Sequence, residues 1–554
     1  MFIKRNRRKY KDREYVTVLL VEGQRVPAKR KPGRPRKGDK PKTVVRHRTL
    51  ANLTKLPAPL IELIERYCQA EREGKPVDGF VSDDEPVVGP AYGPVAALAA
   101  IAKELGIERA LGSTRWGRLA LLLVIARVIH GGSRLSTVRW ARHHAIAEAL
   151  GIEHFDEDDL YEALDWLARE QRRIERALAG RRPRGTVYLY DVTSSYLEGQ
   201  CNELAAMGYN RDGKRYKKQI VVGLLTDAQG EPVSVQVYEG NTSDPQTVGD
   251  QVRKLAEDFG SQQVVLVGDR GMIKAKGQAL LREQGFHYIT SLTDPQIRKA
   301  LSEGTLQLDL FDEELTEVQA EDGRRYILRR NPAMAQRAQA RRRDQLAVVQ
   351  RKVDERNAFV ARSPRARPDV SLKMARRWLA TYKLDAYVEA VLTNDQVELV
   401  VDERALQRLA ALDGCYALVT DVPREVADTE TVWERYGDLQ KVERDFRTMK
   451  TTCLQLRPIY VRKATRTRGH VFVTMLALKI VRYLEQAVRP LGIDVPEAIE
   501  RLQGIRLVTL ADPALGLWRL PSRWLPEQKE LLDVLPTLPP PLLSRTASAG
   551  LLAN

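Results

Sequence analysis

Cysteine is scarce. Four residues, Cys68, Cys201, Cys415 and Cys453, are spread over 554 positions with no CxxC pair. That excludes a disulfide framework and a zinc ribbon, and it fits a reducing cytoplasm. Long hydrophobic runs are missing too. The best candidate, 119–129, is interrupted by Arg127 and falls short of the roughly 18 apolar residues a membrane helix needs. The basic N-terminus has no apolar stretch behind it, so it does not read as a signal peptide. The histidines show no metal-ligand spacing. A composition of 43% hydrophobic and 29% charged residues excludes a disordered chain and a collagen-like fibre, and it leaves room for several domains.

What is present in excess is positive charge. Lys and Arg number 90 against 73 Asp and Glu, a net charge of +17. Residues 1–50 hold 18 basic and 4 acidic side chains, so they carry most of that excess. Such a local field attracts a polyanion, most plausibly nucleic acid. Within it, Arg30-Lys31-Pro32-Gly33-Arg34-Pro35-Arg36-Lys37 resembles an AT-hook. Proline would stiffen an extended path while Arg34 and Arg36 enter a narrow minor groove. The alternative is a solvated basic linker between two short strands.

Periodicity divides the chain. A basic module spans 1–55 and an acidic linker 56–93. Helical spacing then predicts a helical domain for DNA or dimer contact over 94–180. After a Gly/Arg/Pro break the period changes to two. Strands are expected at 186–192, 219–225 and 232–238, a helix after Ser243, a strand at 263–267, a helix at 274–284 and a strand at 287–292. This order fits an α/β, ribonuclease H-like core, with its first part at 186–292. Residues 293–412 read as a mixed, partly β insertion, with hairpins near Asp322-Gly323 and Asn394-Asp395 around a very basic helix. The second part of the core follows at 413–480. Capping-box spacing from Thr431 to Glu434 opens its helix. A C-terminal helical region spans 481–534 and a flexible tail 535–554.

Three acids occupy informative places. Asp191 is expected to end the first core strand, Asp269 to end the neighbouring fourth strand, and Glu443 to lie on a late helix beside them. Carboxylates gathered without basic neighbours repel unless cations are bound. Hard oxygen ligands suit Mg²⁺ or Mn²⁺, and two such ions suit phosphodiester chemistry. Singly, each acid could be a turn cap or a solvated helix residue.

The set of motifs resembles the DDE transposases of bacterial insertion sequences, in the branch with a Tyr-x2-Arg-x3-Glu-x6-Lys signature. Tyr436, Glu443 and Lys450 match it, while Leu439 stands in the Arg position. Arg435 or Arg447 is the candidate replacement for that charge. Further matches are Tyr190-Asp191-Val192-Thr193-Ser194, Glu239-Gly240-Asn241-Thr242-Ser243-Asp244, Gly268-Asp269-Arg270-Gly271-Met272 and Arg457-Pro458-Ile459-Tyr460. The 174 positions between Asp269 and Glu443 accommodate the insertion. Trp433 reads either as a stacking residue or as a core Trp, and His470 as a packed helix-face residue.

The resemblance implies catalytic and metal-binding roles for Asp191, Asp269 and Glu443, with two Mg²⁺ (or Mn²⁺) ions per site. It implies DNA contacts by Tyr436, Arg447 and Lys450 on one helix face. The implied partners are double-stranded DNA, as terminal inverted repeats and target, and a second copy of the chain on paired ends. The implied setting is the bacterial cytoplasm, at the nucleoid when DNA is bound. The competing readings are a structure-directed nuclease and a catalytically idle DNA-binding protein derived from a transposase.

Overall fold

The computed structural model describes every residue except 11–12, 28–42, 55, 57, 74–86, 181–186, 215, 260–263, 364, 452–453, 513–515 and 541–554. The AT-hook-like segment, with Arg34 and Arg36, therefore lies outside the described residues. The chain forms two compact units.

One unit comprises residues 1–104, 133–156 and 484–554. Strands Phe2–Tyr10, Arg13–Pro27 and Thr43–Asn52 form an antiparallel sheet with the second strand in the middle. Helix Ala58–Glu73 covers one face, where Ile61 meets Val18 and Leu53. Arg5 ties the sheet to this helix by donating Nη1 to Glu65 Oε1 at 2.8 Å. A second sheet joins Val87–Ala91 to the hairpin Arg506–Asp512 and Gly516–Pro521. Two expectations are corrected here. The supposed linker 56–93 carries a helix and a strand, because its apolar residues have a sheet to cover. The C-terminal region 481–534 is not wholly helical, since Arg506–Asp512 and Gly516–Pro521 form strands, with Leu507 buried. Of the expected tail, Leu535 is buried and 541–554 lie outside the described residues.

The other unit comprises 105–132 and 157–483. It is built on an eight-stranded mixed sheet: β1 (Val187–Tyr196), β2 (Gln219–Asp227), β3 (Pro232–Tyr238), β4 (Val265–Gly268), β5 (His287–Ser291), β6 (Thr316–Gln319), β7 (Arg325–Arg330) and β8 (Cys415–Thr420). Their order is β6-β7-β8-β5-β4-β1-β2-β3. Only β1/β4 and β4/β5 pair in parallel. The central strands are buried almost along their whole length, as strands covered on both faces must be, with Asp191 one of the few breaks in that burial. Helices α1 (Arg115–Ile129) and α2 (Glu157–Ala179) pack together. Helix α3 (Asp244–Arg253) starts at a capping box on Ser243 with Pro245 in its first turn. It packs against α4 (Ala275–Glu283).

The insertion differs from the expected 293–412. Its first hairpin, β6 and β7, extends the main sheet through β8. A separate small core follows. It is formed by α5 (Pro332–Arg362), α6 (Pro368–Tyr382) and the hairpin Val388–Thr393 with Gln396–Val401, around Val349, Val353, Leu379 and Tyr387.

The late helix is broken into α7 (Thr429–Gly437) and α8 (Leu439–Lys450), and α9 (Ala464–Val488) follows. The cap of α7 is Asp428, whose side chain accepts from Thr431 N at 2.9 Å. Thr431 is thus inside the helix, because an acid three residues earlier already satisfies its amide. Among the described residues no single helix is long and apolar enough to cross a membrane.

Candidate active site

Strand register brings two of the three acids together. The parallel ladder of β1 and β4 ends at Tyr190 against Gly268. Asp191 and Asp269 are the next residues on each side. Asp191 does not end its strand, as the sequence suggested. β1 runs on to Tyr196 because β2 continues to pair with it. The acid sits where the parallel partner stops, which opens one edge of β1 to solvent. Helix α8 packs on β1 and brings Glu443 to the same place.

Asp191, Asp269 and Glu443 all line one cleft of about 400 Å³. Asp212, Asp244, Arg211, Arg447, Lys450 and Arg457 line it as well. The site is therefore not free of basic neighbours, contrary to the simplest sequence argument. Three of the four bases, however, are matched to particular acids. Arg211 pairs with Asp244. Lys450 Nζ and Arg457 Nη1 both donate to Asp212 Oδ1, at 2.8 and 2.6 Å. Asp191, Asp269 and Glu443 are left with no ion-pair partner among the described residues.

Asp191 is the most sheltered of the three. Burial comes first in raising its acid to about 7, and the charges of Asp269 and Glu443 add to the rise. The amide of Val192, donating at 2.7 Å, and the charge of Arg211 oppose it. Asp269 and Glu443 are exposed. Tyr436 donates its hydroxyl to Asp269 Oδ1 at 3.2 Å and packs edge-on against Tyr416. Burial raises the Tyr436 phenol, so it stays a donor. Among the described residues no three acid, His or Cys side chains stand close enough to form a ready-made metal cluster. The donor set is all hard oxygen, and the charges of Asp269 and Glu443 add to the rise of the Asp191 acid, which fits Mg²⁺ or Mn²⁺.

The other sequence candidates divide. Arg447 is exposed in the cleft. Lys450 is not a free cation: only 10% of its side chain is exposed, and burial lowers its pKa against the pull of Asp212. Leu439 is buried. Arg435 does not line the cleft, and its buried Nη1 has no acceptor among the described residues. Of the two candidate replacements for the signature Arg, Arg447 lines the cleft and Arg435 does not. Trp433 is half-buried rather than a core residue, edge-on to Tyr416 with Arg329 over its ring. His470 is buried 3.4 Å from Arg127 and does not line the cleft. Arg211 and Asp212 are the cleft residues that sequence reasoning missed. Their signal was an acid standing alone in the basic run 211–218.

Family comparison agrees with this geometry. The chain belongs to the transposase DDE domain family, whose model matches residues 182–480, more than half of its length. That span contains all three unpaired acids. No curated protein matches the chain. Among solved structures it is similar to the piggyBac transposase synaptic complex with hairpin DNA, at 9% identity over 70% of this chain and 69% of that one, with a TM-score of 0.36. It is also similar to the Mos1 transposase paired-end complex with left transposon end, at 15% identity over 42% of this chain and 68% of that one, with a TM-score of 0.14.

Proposed function

We propose that the chain is a DNA transposase that cleaves the ends of its own element and joins them to target DNA. The observation that carries this reading is the trio Asp191, Asp269 and Glu443, unpaired in one cleft within the family's matched span. The central strand order, with three antiparallel strands followed by two parallel ones, supports a ribonuclease H-like core.

Asp191, Asp269 and Glu443 would hold two divalent cations. When bound, Mg²⁺ or Mn²⁺ supplies Lewis-acid stabilisation of the charge that grows on the phosphate. The chain's own residues do the rest. Tyr436 fixes one oxygen of Asp269 and leaves the other free. Arg447 offers a charged fork to a phosphate beside Glu443. Lys450 and Arg457, both held by Asp212, set the depth of the cleft and hold α8 in place. In the first step a water oxygen attacks phosphorus and the P–O3′ bond breaks, releasing a 3′-OH. In the second, that hydroxyl attacks a target phosphorus and displaces its 3′ oxygen.

The basic residues of 1–50, with Arg34 and Arg36 among them, would bind the terminal repeats, and two copies would pair two ends. The expected setting is the bacterial cytoplasm. The test is to incubate the full chain with DNA carrying its gene and flanks, a target plasmid, and Mg²⁺ or Mn²⁺. New junctions joining element 3′ ends to target DNA support the reading. Intact substrate in both metals, with correct ends supplied, overturns it.

A further inference from the structure

Between β1 and β2 lies a loop, residues 197–218, described except at 215, that has no part in the chemistry above except through Arg211 and Asp212. It displays aromatic side chains to solvent. Tyr209 is 82% exposed and Tyr216 91%, with Met207 at 53%. Tyr460 is 67% exposed beside the loop's root, where Ile459 pairs with Leu197. Single exposed apolar groups are ordinary, but rings this exposed contribute little to folding; the Arg211 guanidinium stands 5.7 Å from the Tyr209 ring centre and leaves most of that ring in solvent. Tyr216 also has φ 69°, in the left-handed region, which bulky residues rarely adopt. A strained backbone that holds a ring in water points to a ligand.

The loop is firmly built. Leu197 N donates to Lys218 O at 2.8 Å and Gln219 Nε2 to Tyr209 O at 3.0 Å. Arg211 N donates to Ser194 Oγ at 2.9 Å, and Asp212 clamps it to Lys450 and Arg457. Gly208 lets it pass close to Gly240, where an added Cβ would stand 2.1 Å from a backbone oxygen. Both tyrosines lie within four residues of a cleft-lining side chain, so within about 14 Å of chain reach. Lys214 and Lys218 have no carboxylate partner among the described residues. Lys214 instead faces the Tyr196 ring at 6.0 Å.

Bare rings interleaved with unpaired cations, on an ordered loop at the edge of a phosphodiester site, are the chemistry that binds unstacked bases. A paired duplex hides its base faces and offers rings nothing to stack on. Resting on the DNA-transposase reading, we propose that residues 197–218 are a binding element for unpaired nucleotides at the DNA end, with Tyr209 and Tyr216 as stacking platforms and Lys214 and Lys218 on the adjoining phosphates.

The test compares a forked duplex with an unpaired end against a fully paired duplex of the same sequence. Binding of the full chain is read by fluorescence anisotropy, and stacking by quenching of 2-aminopurine in the unpaired arm. Wild type is expected to prefer the fork. The double variant Tyr209→Ala/Tyr216→Ala should bind the fork at least about 30-fold more weakly and quench less. Its affinity for paired DNA and its melting temperature should hold, since both rings lie in solvent. Tyr209→Phe/Tyr216→Phe should keep the preference, because stacking needs the ring and not the hydroxyl. A wild type without fork preference, a double alanine variant that retains it, or a double phenylalanine variant that loses it would overturn the proposal. Failure of wild type to bind either DNA would instead overturn the transposase reading.

Discussion

Asp191 sits on an interior strand, yet it faces two other unpaired acids across one cleft. Its acid is raised from an ordinary 3.8 to about 7, so the folded state holds a proton that the unfolded state releases earlier. Stability from this group is therefore fullest at low pH and falls as pH rises towards 7. In metal-free buffer at pH 8, Asp191→Asn should melt a few degrees above wild type, since each kcal/mol moves the melting point of a domain this size by about 2–4 °C. Added Mg²⁺ or Mn²⁺ should raise the melting point of wild type and leave the variant nearly unmoved. Calorimetry with and without cation checks both signs. That the three acids meet in one cleft was legible in the order of strands and late helix, although Asp191 lies inside its strand and not at its end. Asp212 was not, because its partners Lys450 and Arg457 lie 238 and 245 positions away and no local pattern encodes that meeting.

Helix α8 and the loop 197–218 are joined through that one carboxylate. Asp212→Ala would leave Lys450, nearly buried, without its acceptor. Breaking a buried pair from one side costs on the order of 3 kcal/mol, and Arg457, more exposed, adds little. Denaturant melts should show the loss, with Asp212→Asn milder because an amide oxygen still accepts. A second prediction concerns Gly240, which ends β3's excursion towards the same loop. A Cβ there would stand 1.9 Å from Gln219 O and 2.6 Å from Ala206 O, both backbone. Neither can yield, so Gly240→Ala should cost about 3 kcal/mol or more, or fail to accumulate as folded protein. Element order through the first five core strands was readable from a period of two. Sheet membership was harder: Asp322-Gly323 marks a hairpin, but nothing local says that β7 will pair with β8 some ninety positions later. Likewise, 506–512 falls in the region expected to be helical, and nothing local announces its strand partner at 87–91.

Across the whole chain, a charge of +17 should make association with DNA strongly dependent on salt. Each phosphate neutralised contributes a slope of about −0.9 in log affinity against log salt. Replacing Arg34 and Arg36 by Ala should make that slope shallower by about two and weaken binding across sequences, with a larger loss on A·T-rich DNA. An unchanged slope would make the segment a spacer. Composition revealed this bias at once, since charge needs no fold to be counted, whereas the matching of cleft bases to particular acids needed the structure.

The most direct test of the central claim is cleavage of DNA carrying the element's own ends, in Mg²⁺ or Mn²⁺, by wild type and by Asp191→Asn, Asp269→Asn and Glu443→Gln separately. Wild type should nick at the repeat boundary and leave a 3′-OH. Each variant should bind the ends as well as wild type but lose cleavage by at least about a thousandfold, roughly 4 kcal/mol of barrier. Cleavage that survives loss of any one of the three acids would contradict the account.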